Sequence, residues 1–193
     1  MISPNTNPFS VYIDRMKKLI LILPLLLLFS LLLLACSSQE PELDLAPDFS
    51  IEDTSGRTVA LSDLLKANQS VTIVFFRGHF WGICRGQLVE LQEIYSEFRK
   101  NNSELVAVSM DDDKESKKLL RELGLSYIIL PDPTGKIVRK YGVYNLLGDG
   151  VAAPSVFVIS RNQLVSWKYI GESVSDRPNN QTILSEIKML TGR

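Results

Sequence analysis

Cysteine and histidine are scarce in this chain. Its 193 residues hold two cysteines, Cys36 and Cys84, and one histidine, His79. Positive charge is not in excess either: 21 Lys and Arg stand against 22 Asp and Glu, a net of −1. With no basic patch to meet phosphates, nucleic acid is excluded as a partner. Internal repeats are absent, and low-complexity sequence is confined to the leader. The length suits one ordinary domain with a real core and leaves little room for a second. If Cys36 is used elsewhere, Cys84 is the sole thiol of the folded part and no internal disulfide can form.

The long apolar run lies at the start. Lys17 and Lys18 precede Leu19 to Ala35, which is apolar but for one Pro and one Ser. A basic n-region, an apolar h-region and a small residue before the break describe a secretory signal. Leu33-Leu34-Ala35-Cys36 also resembles the bacterial lipobox, whose cysteine is lipidated and becomes the new N-terminus. The alternative is an uncleaved anchor, since the run is close to the roughly 18 apolar residues that a span needs. The lipobox decides the expectation. Residues 1–35 are expected to be a lipoprotein signal peptide, with 1–15 either an upstream start ahead of Met16 or an unusually long n-region. Cys36 carries lipid, residues 36–45 form a short acidic tether, and residues 46–193 form the domain. Such a protein is held on a bacterial membrane and faces the periplasm or the cell exterior.

The chemistry-bearing stretch is VTIVFFRGHFWGICRGQLVEL, Val71 to Leu91. Its β-branched and aromatic opening, Val71 to Phe76, reads as a fully buried strand. Gly78 and Gly82 permit a bend, and the apolar positions Leu88, Leu91, Ile94, Tyr95 and Phe98 then recur at helical spacing. Cys84 therefore falls at a strand-to-helix junction. Unpaired N–H groups and the positive dipole end collect there, and both favour a thiolate, the reactive form of cysteine.

Around that centre, Phe49–Ile51 and Thr58–Val59 flank the turn residues Asp53 to Gly56, which predicts a β-hairpin. Leu61 to Leu65 form a short helix. Glu104 to Ser109 is a second buried strand, and Asp111-Asp112-Asp113 supply a loop and helix N-cap rather than a metal site, for which further oxygen ligands are lacking. Helices over 114–123 and 136–141 stop at Gly124 and Gly142. Strands at 127–130, 155–159 and 165–169 and a last helix at 180–190 complete the chain. Strands alternating with helices, then a hairpin and a helix, predict an α/β fold with a central mixed sheet covered by helices on both faces.

FFRGHFWGICRGQLVELQ resembles the active-site segment of the alkyl hydroperoxide reductase and thiol-specific antioxidant group, within the thioredoxin-like superfamily. APDFSIEDTSGRTVALSDLL is similar to that group's opening, and LPDPTGKIVRKYGVYNLL to its middle helix. AAPSVFVIS resembles the later strand, and GESVSDRPNNQTIL the C-terminal stretch of a peroxiredoxin-like branch. The resemblance spans residues 46–190 and implies a thioredoxin-like fold. It also implies a peroxidatic cysteine at Cys84, which attacks peroxide and is regenerated by an external thiol, either thioredoxin-like or of low molecular weight. No metal or organic cofactor is implied. In the family pattern Pro-x-x-x-Thr-x-x-Cys, Arg77 stands at the proline and Trp81 at the threonine. The arginine usually supplied by the later strand has no match, because Ala-Pro-Ser occupies that region. Ala153-Pro154 takes the place of the thioredoxin-like cis-proline. In the branch with Cys-x-x-Cys, Trp81 replaces the first cysteine, so a dithiol reaction is not open to this chain alone.

Each candidate has a plainer reading beside it. Cys84 is either a reactive thiol or a small buried apolar residue. Arg77 either donates to a peroxide oxygen in place of the missing arginine or is a solvated surface group. Arg85 points away from the thiol. His79 is either a base or a structural loop residue bonded to backbone, and the second reading is preferred. Trp81 shields the sulfur or simply packs, and Pro154 brings the Ala153 backbone near Cys84 through a cis bond. The expectation is a one-cysteine thiol peroxidase acting on hydrogen peroxide or organic hydroperoxides. Its rivals are a non-catalytic binding module and a partner that forms mixed disulfides.

Overall fold

Two strands carry no polar alternation, and they lie at the centre of the sheet. The computed structural model describes residues 44–192; the expected signal peptide, Cys36 and nearly all of the tether lie outside them. In chain order the elements are β1 (Ser50–Glu52), β2 (Thr58–Ala60), α1 (Leu61–Ala67), β3 (Ser70–Phe75), α2 (Gly82–Glu93), α3 (Tyr95–Lys100), β4 (Ser103–Ser109), α4 (Asp113–Leu123), β5 (Ile128–Pro131), α5 (Lys136–Lys140), β6 (Ser155–Ser160), β7 (Val165–Ile170) and α6 (Asn180–Thr191). Every residue of β3 and β4 is buried. Strands hidden on both faces have no side to give to water, which is why Ile73 to Phe75 and Leu105 to Val108 read as continuous apolar runs.

The five-stranded sheet has the order β5-β4-β3-β6-β7. β3 pairs parallel with β4 and antiparallel with β6, so the sheet is mixed, as expected. The two-residue side-chain period of a strand splits the core in two. Val71, Ile73 and Phe75 face one layer, with Leu61 and Leu65 of α1 and Ile137 and Val138 of α5. Val74 and Phe76 face the other, with Leu88 and Leu91 of α2, Phe98 of α3, Leu119 of α4 and Ile183 and Ile187 of α6. Cys84 belongs to this second layer. Edge strand β7 alternates between half-buried and exposed residues, as one covered face requires.

Local capping follows the sequence. Asp112 caps α4 by accepting from the Glu115 N–H at 2.8 Å, and Gly124 ends it in the left-handed region, φ +62. Asn179 caps α6 in the same way through the Thr182 N–H.

Three expectations are corrected. The helix predicted to run on through Phe98 breaks at Ile94, whose φ of −103 and ψ of 5 separate α2 from α3. The buried Glu104 carboxylate accepts from Tyr95 Oη at 2.8 Å and Arg99 Nη1 at 2.6 Å, so re-aiming α3 supplies the partners a buried charge needs. The last tether residues are paired rather than free: Leu45 bridges Leu164, and Asp44 O accepts from the Val165 N–H at 2.8 Å. Finally, no peptide bond among the described residues is cis, so Ala153–Pro154 is trans. The backbone on either side of this bond is paired: the Ala153 N–H donates to Val143 O at 2.9 Å, and Pro154 O accepts from the Gly171 N–H at 2.8 Å.

Candidate active site

The turn between β3 and α2 is built to place the first turn of α2 against the sheet. Gly78 has φ +149, and a Cβ there would lie 3.2 Å from Asp111 Oδ1, so both backbone and space call for glycine. Trp81 is the N-cap, contributes no side-chain hydrogen bond, and accepts the first helical bond from the Arg85 N–H at 3.0 Å. Gly82, Ile83 and Cys84 thus form a first turn whose N–H groups have no intrahelical acceptor.

His79 pins this turn to β4 and α4. Its Nδ1 lies 2.8 Å from Asp111 Oδ1 and its Nε2 3.2 Å from Glu115 Oε2, while Ser109 Oγ donates to Asp111 Oδ2 at 2.8 Å. The histidine's partners are carboxylates rather than the backbone expected from sequence. Arg85 turns away from the thiol, to Glu122 at 3.0 Å.

Arg77 is buried, its side chain 3% exposed, and is ion-paired with Asp149. Its Cζ sits 4.5 Å from the Trp81 ring centroid, a cation–π contact. Arg77 Nε and Nη1 have no hydrogen-bond partner, so neither bonds Cys84 Sγ. The structure therefore brings Arg77 and Trp81 to each other, and overturns the surface alternative for Arg77. Phe80, beside them, is 66% exposed.

Cys84 is 1% exposed and is the free cysteine of the described residues. It packs in the apolar layer, yet its sulfur has a cationic donor. Arg177 Nη2 donates to Cys84 Sγ at 3.4 Å. The same guanidinium donates from Nε to Gln87 Oε1 at 2.8 Å and from Nη1 to Val174 O at 3.1 Å. Gln87 stands three residues after Cys84 on α2, on the same helix face, so one turn of helix presents both sulfur and amide to the arginine.

Arg177 is the residue that sequence reasoning missed. It lies in SVSDRPNN, quoted above for its resemblance but given no role, and nothing local ties it to a cysteine 93 positions earlier. Its neighbour Asp176 is held by Tyr169 Oη at 2.5 Å and the Glu172 N–H at 2.8 Å. These bonds, the tyrosine's first, lower the Asp176 pKa, and the shared hydrogen bond, then burial, raises that of Tyr169. Pro154, through its carbonyl bond to Gly171, anchors the start of the segment that carries Arg177.

A buried sulfur with a guanidinium donor can hold negative charge and take an electrophilic oxygen. The sequence profile of the AhpC/TSA family matches residues 43–168. Alkyl hydroperoxide reductase E of Mycobacterium tuberculosis is 32% identical over 122 residues, 62% of this chain and 78% of that protein. Putative peroxiredoxin bcp of Helicobacter pylori is 30% identical over 100 residues, 52% of this chain and 64% of that one. The crystal structure of peroxidoxin BcpB from Mycobacterium tuberculosis superposes with a TM-score of 0.68 at 21% identity, covering 76% of this chain and 96% of its own. The last likeness shows that the fold is shared.

Proposed function

This chain belongs to the AhpC/TSA family, and from that premise we propose that it is a thiol peroxidase acting through Cys84. The Cys84 thiolate attacks the terminal oxygen of a hydroperoxide and the O–O bond breaks. The sulfur is oxidised to a sulfenic acid, and the departing oxygen takes a proton and leaves as water or an alcohol. Arg177 supports both ends of the step: it faces the sulfur and can donate to the charge that develops on the departing oxygen. An external thiol then attacks the sulfenic acid, releasing water and forming a mixed disulfide, which a second thiol resolves. An external reductant is inferred because Cys84 is the sole cysteine of the described residues. Leu33-Leu34-Ala35-Cys36 supports a lipid anchor and a site of action outside the cytoplasm.

The observation that carries this reading is the Arg177–Cys84 contact at 3.4 Å. One observation favours a rival: a sulfur 1% exposed is also what a non-catalytic binding module would keep. One experiment separates them. Mass spectrometry of the Cys84 peptide after a hydrogen peroxide pulse is expected to find sulfenic acid, and Cys84→Ser to abolish peroxide consumption with a thiol reductant. Equal consumption by the two proteins would leave only the binding module. Mixed disulfides at Cys84 without peroxide consumption would select the thiol–disulfide partner.

A further inference from the structure

Between β7 and α6, residues 171–179 form neither helix nor strand, and Glu172 to Ser175 are exposed. Such a segment is ordinarily mobile, yet here it delivers Arg177 to a sulfur that is almost wholly buried. Something must hold it. The anchors converge on Asp176. Tyr169 Oη donates to Oδ1 at 2.5 Å, the Glu172 N–H donates to Oδ2 at 2.8 Å, and the Asp176 N–H donates to Ser173 O at 3.2 Å.

The root of the segment is equally constrained. The Gly171 N–H donates to Pro154 O at 2.8 Å, and a Cβ on Gly171 would lie 2.3 Å from Asp176 O, so the segment folds flat against its own start. Tyr169 stacks on Trp167 with centroids 6.2 Å apart, and Trp167 packs on the core layer that holds Cys84. The fixed end of the arrangement is therefore a strand, which positions a group more accurately than a loop can. Asp176 and Arg177 are consecutive, so fixing the carboxylate towards Tyr169 aims the next side chain at Gln87 and Cys84.

We propose that Tyr169 and Asp176 are positioning residues for the thiol site, forming a lock that keeps the 171–179 strap closed so that Arg177 faces the Cys84 sulfur. Releasing the lock withdraws the cation and uncovers the sulfur in one movement. The inference rests on Cys84 being the reacting thiol, but its test does not depend on peroxidase turnover.

The test compares alkylation of Cys84 by neutral iodoacetamide and by anionic iodoacetate, read by mass spectrometry of the Cys84 peptide from the full chain. A cation beside the sulfur favours the anionic reagent. Arg177→Gln is expected to lower the iodoacetate-to-iodoacetamide rate ratio on the order of fivefold, allowing for screening of one nearby charge. Tyr169→Phe and Asp176→Asn keep the arginine, and each is expected to lower the ratio at least about twofold while raising the iodoacetamide rate, as the sulfur becomes accessible. Tyr169→Phe combined with Arg177→Gln should match Arg177→Gln alone, since both act through one group. Tyr169→Phe removes a single oxygen and keeps the ring stack, so it gives a result even where Asp176→Asn does not fold. An unchanged ratio and rate in Tyr169→Phe, beside a lowered ratio in Arg177→Gln, would overturn the lock and leave the thiol reading intact. No change in any variant would overturn the lock by removing Arg177 from the site. Failure of wild-type Cys84 to form sulfenic acid with peroxide would sink the thiol reading separately.

Discussion

Arg177 Nη2 lies 3.4 Å from Cys84 Sγ, and the two residues are 93 positions apart. The later strand offers no arginine to the sulfur, and the donor comes instead from the strap that follows β7. The nearer arginine in sequence, Arg77, is engaged with Asp149 and the Trp81 ring.

Two arginines thus compete for one role, and their variants should separate cleanly. Arg177→Gln is expected to slow peroxide oxidation of Cys84 about 10- to 100-fold, towards the loss seen when one donor to a developing oxyanion is removed. Arg177→Lys should restore part of the rate, because the charge returns without the fork that also holds Gln87. Arg77→Met should leave the rate within about threefold of wild type, as a residue outside the reacting group does. Stopped-flow oxidation of each variant measures this. A larger loss in Arg77→Met than in Arg177→Gln would reverse the assignment.

Asp149 matters to stability through Arg77. The guanidinium is buried, with two nitrogens that have no hydrogen-bond partner, so its carboxylate partner is the main compensation for its charge. Asp149→Ala should cost about 3 kcal/mol, the cost of leaving a buried charge uncompensated. Adding Arg77→Met to Asp149→Ala should recover most of that loss, since the apolar pair leaves no charge behind. Urea unfolding of the single and double variants gives both numbers.

Acid should unfold the protein partly through Asp53. Burial by itself raises the Asp53 pKa, but hydrogen bonds from Ser55 and Arg57 outweigh it and hold the carboxyl at about 2, below its usual 3.8. A depressed folded pKa contributes stability that is complete above the unfolded value and lost as pH falls from about 4 through about 2. Asp53→Asn should be less stable at pH 7 and should lose less stability than wild type between pH 5 and pH 2. Thermal midpoints across that range are the measurement, and parallel curves would contradict the prediction.

The alkaline limit has the opposite sign. Burial, and then the hydrogen bond to Glu104, push the Tyr95 pKa up to about 12, and burial also raises Tyr127 and Tyr141. A raised folded pKa contributes stability that is complete below the unfolded value, 10.0, and disappears as pH climbs through the folded one. The urea midpoint should therefore fall steeply between pH 10 and 12. Tyr95→Phe should make that fall shallower, and an unchanged slope would remove Tyr95 from the account.

Much of the fold was legible in residue order because its causes are local. Val71 to Phe76 could be read as a buried strand from its run of β-branched and aromatic residues, and the structure places β3 at Ser70–Phe75. Asp112, Gly124 and Gly142 announced helix ends through capping and left-handed backbone, which depend on a few neighbouring residues. The break at Ile94 was not legible: the apolar spacing continues smoothly to Phe98, and the carboxylate that the re-aimed helix meets, Glu104, lies on β4. Nor were the backbone partners around Pro154 legible, since Val143 and Gly171 lie at a distance in the chain.

By itself the sequence determined where the Cys84 sulfur stands, because a strand, a glycine turn and a helix start are properties of consecutive residues. It also determined the mixed α/β sheet, through the order and periodicity of its segments. Tertiary structure alone decided that the sulfur is buried, that Arg177 and not Arg77 bonds it, and that Tyr169 and Asp176 hold that arginine in place. The reason is range: a hydrogen bond acts over a few ångströms whatever the separation along the chain, and only the folded path brings β7, the strap and α2 within that distance.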